Sequence, residues 1–305
     1  MNSWRNSTCK SYSSYLRKWE AFAFQYNFNV WNPDISDVLE FFTFLIDQGC
    51  GYSVINTARS ALSTIINVDN LPIGKHSLVK RFVRGVYNIK PSLPRYTATW
   101  DVNLVLNFLK SMDSYEIISL KYLTYKLVTL LALCTGQRCQ TLSVLELNNM
   151  NVFEDRVIFR LTKLLKHSRP GVHQKPIDLK SYPDKALCVV KCLEVYIHRT
   201  AHLRDCDSDT LLISFIKPYH KVSTDTIARW IKTVLRLAGI DTSIFKAHST
   251  RSASTSAATK LGVPLQDIMS SAGWSSNSTF GKFYNKDVVQ TSNMGDALLS
   301  SFSTE

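Results

Sequence analysis

Apolar side chains along most of this chain recur at three- and four-residue steps. Tyr12, Tyr15, Leu16, Trp19, Phe22, Ala23 and Tyr26 form the first series, the spacing that lines one face of an α-helix. A second apolar helix is expected from about Ser36 to Gln48, stopping at Gly49 and Gly51. A third carries Ile55, Ala58, Leu62, Ile65 and Ile66 on one face. Further on, Asp101 is placed to cap a helix bearing Val102, Val105, Leu106 and Leu109, because its carboxylate can accept from the free amides of the first turn. The stretch from about Ile117 to Cys134 is apolar broadly enough to be a central core helix. After a break at Thr135-Gly136, Arg138 opens a short helix carrying Leu142 and Leu145. The clear β signal is Arg156-Val157-Ile158-Phe159-Arg160-Leu161, with a shorter strand near Lys175 to Leu179 beyond a turn at Ser168-Arg169-Pro170-Gly171. The rest reads as helix: roughly 185–202, 224–238, 247–261 and 264–271, then a last turn before Tyr284. Gly239, Gly262 and Gly273 stand where left-handed helix stops are expected.

The pattern predicts a mainly α protein of two units. A helical domain is expected over residues 1–90, a linker over 91–96 marked by Pro91 and Pro94, and an α-rich domain with a small antiparallel β-hairpin over 97–305.

Charge adds a direction to this picture. Lys and Arg number 36 against 24 Asp and Glu, a net charge of +12, which makes nucleic acid a natural partner. The surplus is uneven. No acidic residue falls between Asp69 and Asp101, whereas Lys75, Lys80, Arg81, Arg84, Lys90 and Arg95 all do. One-signed charge with nothing local to neutralise it is expected to contact the DNA backbone. Hydrophobic content of 45% and charged content of 20% exclude a disordered chain. The seven cysteines are odd in number and irregular in spacing, so thiols in an intracellular, soluble protein are expected rather than a disulfide framework. Cys188 and Cys192 read as packing thiols, and His198 and His202 lack nearby partner ligands for zinc. No signal peptide is visible in the first thirty residues. No uncharged stretch reaches the roughly 20 apolar residues of a membrane span.

The candidate chemistry lies in five separated positions: Arg138 in Thr135-Gly136-Gln137-Arg138, His248 and Arg251 in Ala247-His248-Ser249-Thr250-Arg251, Trp274 in Ala272-Gly273-Trp274, and Tyr284 after Phe283. Two guanidinium forks can hold a phosphate, since each binds two oxygens at once. A tyrosine can attack it, helped by nearby positive charge that favours the ionised phenol. His248 and Arg251 are expected on one face of one helix, three residues apart. An indole N–H can donate to a phosphate oxygen but cannot carry a proton, so Trp274 would bind the transition state rather than act as acid or base. No compact Asp/Glu cluster is present for a metal; the scheme needs neither metal nor other cofactor.

In order and spacing these residues resemble the tyrosine recombinases, the integrase superfamily that breaks and rejoins DNA through a phosphotyrosine. The resemblance implies a helical core-binding (SAM-like) domain that clamps double-stranded DNA together with the catalytic domain. It implies His248 as proton acceptor or donor for the tyrosine, and Trp274 at a position more often held by a second histidine. It also implies that a hairpin lysine protonates the leaving oxygen. Lys163, after Thr162, and Lys166, nearer the Ser168–Gly171 turn, both qualify, and Lys166 is favoured. Two departures stand out. Tyr284 lies one residue beyond the commonest spacing from Trp274, and Thr141 replaces an acidic residue often found three positions after the first arginine. Trp100-Asp101-Val102, Leu164-Leu165-Lys166, Ile227-Ala228-Arg229-Trp230-Ile231-Lys232 and the segment from His248 to Ser254 look most like recombinases of DIRS-type retrotransposons and Crypton-type elements. That narrower likeness implies integration or excision of element DNA in the nucleus, by a homo-oligomer, a tetramer at synapsis. The alternatives weighed are a type IB topoisomerase and a domesticated DNA-binding protein that no longer cuts.

Overall fold

The computed structural model describes residues 4–93, 96–166, 168, 170–171, 173–204, 209–274, 281 and 286–287. The chain divides into two compact units, residues 1–94 and 95–305.

Unit one is built on four helices, α1 (Asn6–Tyr26), α2 (Ile35–Asp47), α3 (Tyr52–Leu62) and α4 (Ser77–Ile89). The aromatic series of α1 puts Trp19 and Phe22 into a core with Phe41, Phe42, Leu45 and Leu62. Trp19 also satisfies its indole, donating from Nε1 to the Val30 carbonyl at 3.0 Å. Removing a buried aromatic of this kind costs about 3–5 kcal/mol. Helix α4 is an addition to the elements expected from the apolar pattern, although Val79, Val83 and Val86 are its buried positions and recur at helical spacing. Before it, β1 (Asn67–Val68) and β2 (Leu71–Pro72) pair antiparallel around Asp69 and Asn70, both with positive φ. Asp and Asn tolerate that region better than other side chains.

Unit two opens with α5 (Val102–Lys110), which Asp101 caps by accepting from the Asn103 amide at 2.9 Å. Helix α6 (Leu120–Thr135) is buried on nearly every face from Leu123 to Thr135, the burial its sequence implied. It packs against α8 (Val189–Thr200), α9 (Thr224–Leu237) and α10 (Ser249–Lys260). The short α7 (Cys139–Leu142) and α11 (Leu265–Ala272) complete the helices described below. The small sheet has three antiparallel strands in the order β3 (Met150–Val152), β4 (Arg156–Phe159) and β5 (Ile177–Lys180). Its register pairs Met150 with Phe159 and Phe159 with Ile177. Strand β3 has no sequence signal of its own: three residues form a strand only because β4 supplies the partner.

Candidate active site

Thr135 ends α6, and Gly136 leaves the helix with φ of 60°. A Cβ at Gly136 would lie 3.3 Å from Ala272 Cβ and 3.4 Å from Thr255 Cγ2. Glycine therefore serves both the left-handed turn and the close approach of α10 and α11. Hydrogen bonds hold that approach. Gln137 Nε2 donates to the Ser271 carbonyl at 2.6 Å, and Ser271 Oγ donates to the Thr135 carbonyl at 3.2 Å. The turn presents Arg138 as the N-cap residue of α7. Arg138 Nη1 is buried without a hydrogen-bond partner. A buried unpaired donor on a cation is costly, and a bound anion would remove that cost.

Arg251 projects from α10. At the start of α10 the Ser249 hydroxyl is fixed on both sides: it accepts from Trp100 Nε1 at 2.8 Å and donates to the Lys246 carbonyl at 2.7 Å. Arg251 then lies in the first turn with 1% of its surface exposed. Its Nη2 donates to the Ala272 carbonyl at 3.1 Å. Its guanidinium carbon sits 4.8 Å from the Trp274 ring centre, a cation–π distance. Trp274 is placed by Gly273, the left-handed stop of α11 with φ of 67°. Ala272 thus joins both arginine segments, its carbonyl toward Arg251 and its methyl toward the Gly136 turn.

His248 keeps helical backbone angles, φ −65° and ψ −22°, and its carbonyl accepts from the Arg251 amide at 3.3 Å. It occupies the turn before α10, as the N-cap residue, and its side chain is exposed whereas that of Arg251 is buried. Thr141, at the position of the missing acid, is buried in α7, and its amide donates to the Arg138 carbonyl at 2.8 Å.

The two lysines part company. The connection from β4 to β5 is a long loop rather than a tight hairpin turn. Leu165 is buried within it, and Ser168 Oγ accepts from the Leu165 amide at 2.8 Å and from Gln174 Nε2 at 2.7 Å. Lys163 falls on one side of this anchor and forms an ion pair with Glu146, which also accepts from Thr162 Oγ1 at 3.2 Å and Asn149 Nδ2 at 2.9 Å. The Lys163 hydrogen bond is the main cause that holds the Glu146 carboxyl below its ordinary value. Lys166, on the other side, is exposed. Nothing in the sequence marks Glu146 as a partner.

Lys80, Arg81 and Arg84 are exposed on α4, opposite its buried valines; Lys75 precedes the helix and Lys90 ends it, both exposed. Arg229, Lys232 and Arg236 form a second basic face, exposed on α9 opposite Ile227, Ile231 and Val234. Charge along the chain does not single it out because acidic residues lie nearby in sequence, although the cations recur at helical spacing. Tyr284, the turn before it, and Arg95 lie outside the described residues. Among the described residues, no group of three or more His, Cys, Asp or Glu could hold a metal ion, and no helix is long and apolar enough to cross a membrane.

Solved structures share this fold at low identity. The XerH site-specific recombinase, bound to palindromic difH substrate in a post-cleavage complex, has 16% identity over 88% of this chain and 74% of that chain, with a TM-score of 0.61. The Tn1549 transposon integrase, in complex with transposon right-end DNA, has 13% identity over 99% and 95%, with a TM-score of 0.61. A lambda integrase tetramer bound to a Holliday junction has 15% identity over 96% and 75%, with a TM-score of 0.57. No curated protein matches by sequence. The model of the phage integrase family matches residues 101–290, a span that contains Arg138, the Ala272 junction, Arg251, Trp274 and Tyr284. The chain belongs to the phage integrase family.

Proposed function

We propose that this protein is a site-specific DNA recombinase that cleaves and rejoins strands through a 3′-phosphotyrosine. The observation that carries the reading is that the Gly136 turn preceding Arg138 packs against Ala272, whose carbonyl holds Arg251, with Arg138 keeping a buried, unsatisfied donor and Arg251 lying against Trp274. Guanidinium groups held in a low-dielectric setting stabilise the charge that builds on phosphate oxygens during attack. The Tyr284 hydroxyl adds to phosphorus, its proton passing to His248 or solvent. The bond to the 5′ oxygen breaks, and that oxygen takes a proton from Lys166, which extends into solvent while Lys163 is committed to Glu146. Attack by the 5′ hydroxyl of another strand on the phosphotyrosine reverses the steps and joins new ends.

The exposed bases of α4 and α9 would hold the duplex through its phosphates. Family membership and the DNA complexes of XerH and Tn1549 integrase support this partner. The lambda integrase tetramer on a Holliday junction supports assembly as a homo-tetramer at synapsis. The segments that resemble DIRS-type and Crypton-type recombinases support a mobile-element role, with integration or excision in the nucleus.

The test is a nicked duplex on which the cleaved end diffuses away, so that a covalent intermediate accumulates. The expected product is a protein–DNA adduct mapped by peptide sequencing to Tyr284, absent in Tyr284→Phe at unchanged DNA affinity. Tight binding with no adduct on any tyrosine would make the chain a DNA-binding protein without strand cleavage.

A further inference from the structure

Lys286 is a lysine of unit two that the recombination scheme leaves without a task, although its side chain and its backbone are both held. Its ammonium donates to the Tyr96 carbonyl and lies 4.8 Å from the centre of the Tyr96 ring. Its amide donates to Ser256 Oγ at 3.0 Å. The next residue continues the attachment, since the Thr99 amide donates to the Asp287 carbonyl at 2.7 Å. Burial pulls the Lys286 ammonium below the usual lysine value, the mark of a charge partly taken out of water.

These partners belong to the frame of the site. Ser256 is on α10, the helix that carries Arg251. Thr99 adjoins Trp100, whose indole fixes Ser249 at the start of that helix. Lys286 follows Tyr284 by two residues, and two residues of chain span at most about 7 Å. We propose that Lys286 is a positioning residue that registers the nucleophile segment against α10. Its side chain docks on Tyr96 and its amide on Ser256 of α10, two residues along the chain from Tyr284, and cleavage depends on that attachment. This role rests on the reading of Tyr284 as nucleophile. A displacement of about 1 Å at a reacting group can cost on the order of 10²-fold in rate, so modest ties two residues away can matter.

The experiment uses the full chain and the nicked substrate, at protein concentrations that saturate the DNA. Lys286→Met keeps the stem and removes the ammonium; Ser256→Ala removes the acceptor for the Lys286 amide. Each is expected to slow single-turnover adduct formation at least about tenfold, with DNA affinity and melting temperature unchanged. Lys286→Arg is expected to recover much of the rate. Hydrogen exchange at the Thr99 amide should quicken in Lys286→Met. Wild-type cleavage by Lys286→Met, or a slower rate matched by weaker binding or a lower melting temperature, would overturn the positioning role while the adduct stays on Tyr284. An adduct on another tyrosine would instead overturn the nucleophile assignment, and this role with it.

Discussion

The Arg251 guanidinium lies 4.8 Å from the Trp274 ring centre while its Nη2 is held by the Ala272 carbonyl at 3.1 Å. Trp274 has two separable contributions to offer, its ring to Arg251 and its N–H to substrate. A cation–π contact is worth roughly 0.5–2 kcal/mol, which is about 2- to 30-fold in rate at 1.36 kcal/mol per tenfold. Loss of a transition-state donor costs on the order of 10²–10³. Trp274→Phe keeps a ring and loses the N–H; Trp274→Ala loses both. A fall of about 10²-fold in Trp274→Phe cleavage is expected from N–H donation. Near-wild-type Trp274→Phe with a tenfold defect in Trp274→Ala would confine the residue to holding Arg251.

Arg138→Ala and Arg251→Ala should each lower single-turnover cleavage by on the order of 10²–10³ or more. DNA affinity should fall far less, since it is spread over many phosphates. Parallel decline of binding and cleavage would reduce them to ordinary anchors.

Gly136→Ala places a methyl 3.3 Å from Ala272 Cβ at a φ of 60°. The left-handed conformation alone costs an L-residue roughly 1–2 kcal/mol. Thermal unfolding should show a destabilisation of that order, with cleavage reduced beyond what the lower stability explains because Arg138 is two residues away. An unchanged melting temperature would mean that the turn relaxes freely.

The lysines can be told apart with a substrate whose 5′-bridging oxygen is sulfur, a leaving group that needs no proton. Lys166→Ala should be slow on normal DNA and recover on sulfur, whereas Lys163→Ala and Glu146→Gln should show smaller defects on both. The Glu146 carboxyl titrates below its ordinary value. The stabilisation it draws from Lys163 is therefore complete above the ordinary glutamate value and is lost as pH falls through the depressed one. Recovery by Lys163→Ala alone would transfer the acid role and require the Glu146 pair to open on DNA.

Neutralising Lys80, Arg81 and Arg84 together should flatten the dependence of log K on log salt by about 0.9 for each phosphate that the variant no longer neutralises. The same change on Arg229, Lys232 and Arg236 should flatten it too. A slope untouched by either triple substitution would take that helix face out of the DNA interface.

Helices with regular apolar spacing and chemically marked ends were legible from the residues alone. Helix α9 runs from Thr224 to Leu237 close to the expected limits, since Ser223 caps it and Gly239 stops it locally. Asp101 and Gly136 act through neighbouring residues in the same way. Arg251 and Trp274 were also singled out by residue type, and the fold brings the two into contact.

Whatever depends on partners distant along the chain emerged only on folding. Strand β3 exists through its ladder with β4, and the Ser249 hydroxyl at the start of α10 is held by Trp100, far earlier in the chain. Glu146 commits Lys163 across the loop that Leu165 anchors, which no local spacing encodes. The junction at Ala272 is of the same kind. Its methyl lies against the Gly136 turn and its carbonyl holds Arg251, and only packing of α6, α10 and α11 brings those segments together.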